Sequence, residues 1–261
     1  MLSPDALLLL VKLLVAATIV VGASLTIERS GPVIGALIAS LPISAGPGYV
    51  FLAMEHGPAF IEAAALASLP AAAGMAVYQT VYVKLAQRFG TAISLAGGFG
   101  GWVISTVAVR AMGLGFAEVA VLAFAAFGIG YGLIRRHLAW KPVAMPRRRW
   151  WDLPARAGAV MAVTCMAVLT GRFAGPAVAG VAVLVPVVFT SLIVILQPRI
   201  GGPNTAAVLA SAIPGMGGFV ASVCFLHLTA APFGNALALA GALGVGMAWN
   251  LVLLFGRRWW A

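Results

Sequence analysis

The chain is poor in charge and in reactive side chains: six acidic residues, three histidines, two cysteines, and only 8% charged residues among 261. Each scarcity excludes something. So little charge cannot cover a soluble globule of this length, which points to an integral membrane protein with the lipid bilayer as its first partner. Cys165 and Cys224 both lie inside apolar stretches and read as small core residues, so neither a disulfide framework nor a metal site is expected. No Walker loop, zinc-protease helix or nucleophile elbow occurs, so neither catalysis nor a cofactor is indicated.

What is abundant is apolar: 62% of the residues are hydrophobic. A spanning helix needs roughly 20 apolar residues, and about nine such runs occur: 6 to 27, 31 to 54, 58 to 83, 90 to 109, 114 to 134, 156 to 171, 177 to 197, 204 to 228 and 232 to 255. The opening stretch, Met1 to Ile27, lacks a basic start and a small-residue cleavage site, so it reads as a retained helix. The expectation is an all-α, multi-pass membrane protein.

A formal net charge of +10 raises the question of nucleic acid. The cations answer it, because they sit beside apolar spans and not on an aromatic-studded soluble surface. They read instead as topology signals. Arg135, Arg136, Lys141, Arg147, Arg148 and Arg149 mark the loop after the fifth run as cytoplasmic, and alternation puts Lys84, Arg88, Arg199, Arg257 and Arg258 on the same side. Arg110 and Arg172 are then left in outer loops, the N-terminus outside and the C-terminus in the cytoplasm. Trp150, Trp151, Trp259 and Trp260 beside the basic segments suit interfacial anchoring. A bacterial inner membrane is the expected location.

The chain also repeats itself. Gly31-Pro32, Pro42, Pro70 and Gly74 recur at a constant offset as Gly175-Pro176, Pro186, Pro214 and Gly218 (175 − 31 = 144), and Gly90, Gly97 and Gly100 return as Gly234, Gly241 and Gly244. Four runs form each copy and one joins them. An odd connecting helix makes the second copy enter the membrane from the opposite side, which predicts two inverted four-helix repeats in a 4+1+4 arrangement. The division is 1–111 for the first repeat, 112–150 for the connecting helix and basic loop, and 151–261 for the second repeat. Two re-entrant pieces, or a split span, would change the parity.

Breaks in the helices are the candidate substrate site. The second run holds Pro42, Ser44, Gly46 and Pro47; the seventh holds Pro186 with Thr190 and Ser191 a turn later. Proline removes an amide donor and glycine loosens the backbone, so polar groups are freed at membrane depth, where they are tolerated only in protein or against a wet cavity. The alternative is ordinary kinking and close packing, with Ser and Thr bonded back to their own helix. Arg29 and Arg172 stand at the starts of the second and seventh runs, positioned either to attract an anion or to touch headgroups. Glu62, with His56 and Glu55 at the preceding hairpin, is either a proton-carrying group with a histidine relay or a solvated acidic rim.

Residues 31 to 42, Gly-Pro-Val-Ile-Gly-Ala-Leu-Ile-Ala-Ser-Leu-Pro, with Gly46-Pro47, resemble a group of uncharacterised bacterial inner-membrane proteins. Ile195-Leu196-Gln197-Pro198-Arg199-Ile200-Gly201-Gly202 is similar to the membrane domain of aromatic-acid exporters of the fusaric-acid-resistance type, over one hairpin of each copy. The resemblance implies a membrane domain rich in apolar helices. Taken together, the chain is expected to be a secondary transporter or facilitator of a small solute, with an organic anion and proton coupling as options and a homo-oligomer left open. The competing expectation is a non-transporting assembly factor or the membrane subunit of a larger complex.

Overall fold

The structure, a computed structural model, describes residues 4–29, 45–137 and 149–256. These residues are helical throughout: α1 (Pro4–Arg29), α2 (Ala45–Glu55), α3 (Pro58–Leu85), α4 (Thr91–Ala111), α5 (Phe116–Ile134) followed by a 3-10 turn (Arg135–His137), α6 (Asp152–Ala174), α7 (Pro176–Val183), α8 (Val187–Ile200), α9 (Gly202–Phe233) and α10 (Asn235–Gly256).

Seven helical segments among the described residues are long and apolar enough to cross a bilayer, with α7 and α8 counted together over Pro176–Ile200. The nine runs read from the sequence differ from this at the beginning of the chain. Helix α1 qualifies only as the shorter apolar stretch Leu7–Ile19. Of the run 31 to 54, the described part is the 11-residue α2. Elsewhere the helices follow the expected runs to within a few residues at either end, and the short run 156 to 171 becomes the 23-residue α6.

Burial divides these helices into centre and periphery. The apolar windows of α3 and α9 are each 67% buried, against 22% for α4 and α10. The outer helices turn Ile104, Val107, Val121, Ile129, Leu237 and Val252 outward, each 60% to 71% exposed. Such side chains would be costly in water and are at home in hydrocarbon.

Helix starts follow the sequence repeat. Helices α3 and α9 begin at Pro58 and Gly202, and α4 and α10 at Thr91 and Asn235, with the same offset in both pairs (202 − 58 = 235 − 91 = 144). The two central helices run antiparallel: a Cβ on Gly202, at the start of α9, would touch the Ala86 carbonyl just beyond the end of α3, while His227, near the end of α9, lies 3.0 Å from the Glu62 carbonyl in α3's first turns. Between these contacts lie the segments carrying Pro70 and Gly74 on one helix and Pro214 and Gly218 on the other.

Each proline kink is braced by a tryptophan from an outer helix. Trp102 of α4 donates to the Ala71 carbonyl at 3.1 Å, and Trp249 of α10 donates to the Pro214 carbonyl at 3.0 Å. The glycine one turn on makes room in both cases: a Cβ on Gly74 would stand 2.5 Å from Thr106 Oγ1, and one on Gly218 would stand 2.7 Å from the Trp249 ring.

Candidate functional site

Helices α7 and α8 form one span broken in the middle, as Pro186 leads one to expect. Helix α7 stops at Val183, Pro186 caps α8, and the Pro186 carbonyl accepts from Thr190 through both backbone N–H (2.9 Å) and hydroxyl (2.7 Å). The broken span runs parallel to α3 and very close to it. A Cβ on Gly180 would fall 2.1 Å from the Ala64 carbonyl, an approach only glycine allows.

A seam of hydroxyls and amides fills this contact from end to end. Tyr49 of α2 is hydrogen-bonded to Ser68, which also lies 2.8 Å from the Gly180 carbonyl. Because Thr190 donates to Pro186, Tyr78 donates to Thr190, at 2.9 Å. Tyr82 donates to Gln197 Oε1 at 2.8 Å. Beside Tyr78, Gln79 is fully buried, and neither its Oε1 nor its Nε2 has a partner. An unmet amide at the centre of a helical core is expensive, about 1 to 3 kcal/mol, and therefore informative.

Charges gather at the two ends of α6. At one end Glu55 accepts two bonds from Arg172, Nε–Oε2 at 2.7 Å and Nη2–Oε1 at 2.6 Å, and a third from Lys12 Nζ at 2.5 Å. Glu55 stands beyond the last apolar residue of α2, and the Arg172 bonds, then Lys12, hold its carboxyl down to about 2 from an ordinary 4.5. At the other end Asp152 binds Arg199 through two bonds of 2.6 and 2.7 Å and the Arg149 N–H at 2.9 Å, with Arg199 5.3 Å from the Trp151 ring centre. Asp152 and Arg172 are 20 residues apart on one helix, about 30 Å at 1.5 Å per residue. That separation is about the thickness of the hydrocarbon core.

Contacts also sort the remaining charges. The Glu55 end collects Glu62, through His227, and Glu118, whose neighbour Phe116 packs 4.5 Å from the His227 ring. The Asp152 end collects Lys84, Arg88, Arg136 and His137 around a common recess. One end is of mixed charge and the other is basic.

The residues singled out in the sequence fare differently. Pro42 and Ser44 lie outside the described residues, as does the side chain of Arg29. Gly46 and Pro47 fall in the first turn of α2, where a missing amide donor breaks no helical bond. Pro186 and Thr190 join the seam, whereas Ser191 bonds back to the Val188 carbonyl at 2.8 Å. Arg172 is bonded to Glu55. His56 stacks on Phe60 at 3.8 Å, its Nε2 buried without a partner, and its carbonyl accepts from Asn235 at 3.0 Å. The Glu62 carboxylate is in no ion pair among the described residues, and that cluster touches it only through its carbonyl. Sequence reasoning missed Gln79, although an amide inside a 28-residue apolar helix was a signal.

No protein-family model, curated protein or solved structure matches the chain. Among the described residues no group of three or more His, Cys, Asp or Glu side chains is arranged to hold a metal ion.

Proposed function

We propose that the chain is a secondary transporter or facilitator of a small solute in a bacterial inner membrane, working by alternating motion of two inverted repeats about α3 and α9. The observation that carries this is Gln79: a buried, unpartnered amide on a central helix, one position from the Tyr78–Thr190 bond and the break at Pro186. The antiparallel course of α3 and α9, whose starts keep the offset of the sequence repeat (202 − 58 = 144), supports the inverted arrangement. The solute exchanges hydrogen bonds with the seam, Gln79 supplying a donor and an acceptor, while Tyr78 and Thr190 release each other.

The ion pairs at the two ends of α6 act as gates. With both formed the passage is closed at both faces; opening one while the other holds is alternating access. An organic anion suits the Glu55 end, since it would compete with Glu55 for Arg172 and open that gate as it enters. Proton coupling belongs to Glu62, not to Glu55, because a carboxylate held by two cations stays ionised at neutral pH. The basic end faces the cytoplasm on this reading, as short basic loops remain inside.

The second reading, a non-transporting assembly factor or membrane subunit of a larger complex, is favoured by one observation. Most seam hydroxyls are already satisfied by one another, as static packing would have them.

Gln79→Leu separates the two. Removing an unmet amide raises stability in either case; transport predicts loss of solute flux into proteoliposomes in the better-folded variant, while the structural role predicts a variant that assembles and functions unchanged. The coupling is tested in the same vesicles under an imposed pH gradient, where equal rates for Glu62→Gln and the parent remove Glu62 from the mechanism.

A further inference from the structure

Away from the seam, a recess of about 500 Å³ opens where the end of α3 meets the turn after α5. Its size falls within the roughly 300 to 1,000 Å³ of small-molecule sites. Lys84, Arg88, Arg136 and His137 line it, and among the described residues no acidic one does. Their possible local acceptors are engaged: Asp152 is taken up by Arg199 and the Arg149 N–H, and the Phe89 carbonyl by Gln197 and Ser94. Gln87 turns its amide onto the Val83 carbonyl of its own helix. Arg136 Nε lies 3.3 Å from His137 Nε2, and since a guanidinium only donates, that nitrogen accepts and the ring keeps Nδ1 as a further donor. Among the described residues the lining thus offers donors and positive charge with no carboxylate opposite.

We infer that this recess binds a phosphate-bearing anion. Two guanidinium groups and an ammonium suit phosphate oxygens, the first by forked hydrogen bonds and the second as a point charge. Phe89, 46% exposed at the rim, gives the same recess an apolar lip at the end of a spanning helix. A glycerophosphate headgroup presents this combination, anion above and hydrocarbon below, and basic pockets at the ends of spans bind such lipids. A soluble phosphate has the same anionic chemistry without the tail. This inference does not rest on the transport reading.

The test uses the purified full chain in nanodiscs of phosphatidylcholine with and without phosphatidylglycerol, read by native mass spectrometry, with inorganic phosphate as a separate arm. Phosphatidylglycerol retained on the parent, and weakened about fivefold for each cation removed in Arg88→Gln and Arg136→Gln, assigns the lipid. Retention of inorganic phosphate alone, lost in the same variants, assigns the soluble anion. If the double variant does not fold, Lys84→Gln is measured in its place. Arg110→Gln, at the other end and bonded to the Ala177 carbonyl, leaves binding unchanged. Equal retention by parent and recess variants, or no preference over phosphatidylcholine and no phosphate bound, overturns the proposal.

Discussion

The stretches 45 to 111 and 187 to 256 hold two pairs of helices that begin in register, α3 with α9 and α4 with α10, yet they differ where helices join and where they end. In the first, the caps Gly57 and Gly90 have φ of −72° and −68°, which any residue can adopt; in the second, Gly201 and Gly234 stand at +81°. Glu55 closes α2, and its counterpart at the repeat offset, Arg199, nearly closes α8 with the opposite charge (199 − 55 = 144). Each reaches a partner on α6, but at opposite ends of that helix. The aligned helices α3 and α9 are the most buried of the described spans, so their starts leave little room to shift.

The largest expected effect tests the asymmetry of the ion pairs. Glu55 neutralises two cations, one of which, Lys12, has a side chain only 3% exposed. Glu55→Gln strips the buried Lys12 ammonium of its carboxylate and is expected to destabilise by about 3 to 5 kcal/mol, as for breaking a buried pair. Asp152→Asn deprives one guanidinium, which keeps its place beside Trp151, so about 1.5 to 3 kcal/mol is expected. Unfolding both variants in mixed micelles against the parent gives the ranking; an equal or reversed order would mean that the burial of the cation left behind does not govern the cost.

The joints give the next comparison. Gly201→Ala forces a Cβ into a conformation nearly confined to glycine, for about 1 to 3 kcal/mol of lost stability. Gly57→Ala meets open space at an ordinary φ and is expected to be neutral, or to stabilise by about 0.4 to 1 kcal/mol through the unfolded chain. Comparable losses in these two variants would show that the joints are under similar strain after all.

How much of this was legible in the sequence depends on the range of the interaction. Apolar runs gave most helices because burial in lipid needs length and composition alone, and the break at Pro186 followed from a local property of proline. The constant offset between the repeated glycines and prolines anticipated the aligned starts of α3 with α9 and α4 with α10. The partners of Glu55, by contrast, lie 43 and 117 residues away, and Tyr78 and Tyr82 find Thr190 and Gln197 across 112 and 115. The two tyrosine pairings need the close approach of the broken span to α3 that Gly180 allows, and no local pattern announces which faces meet. Arg172 was legible as a cation at the end of a span. That its charge is already committed to Glu55 was not.

The smallest expected effect is a null one, and it separates the two carboxylates of the mixed-charge end. Glu55 has a lowered pKa in the folded protein, so the stability it contributes is fully present above its unfolded value of 4.5 and is lost only as the pH falls toward about 2. Between pH 6 and 8 neither the folded nor the unfolded chain holds an appreciable proton at this site. The destabilisation by Glu55→Gln should therefore stay constant across that window when unfolding is measured at several pH values. A difference that grows between pH 6 and 8 would require Glu55 to exchange protons near neutrality, contrary to an anion fixed by Arg172 and Lys12. The gate at this end would then be opened by protons, and Glu62 would lose its claim as the coupling group. Constancy is what the proposed gate requires, since a competing anion would have to take Arg172 from a carboxylate that remains charged throughout.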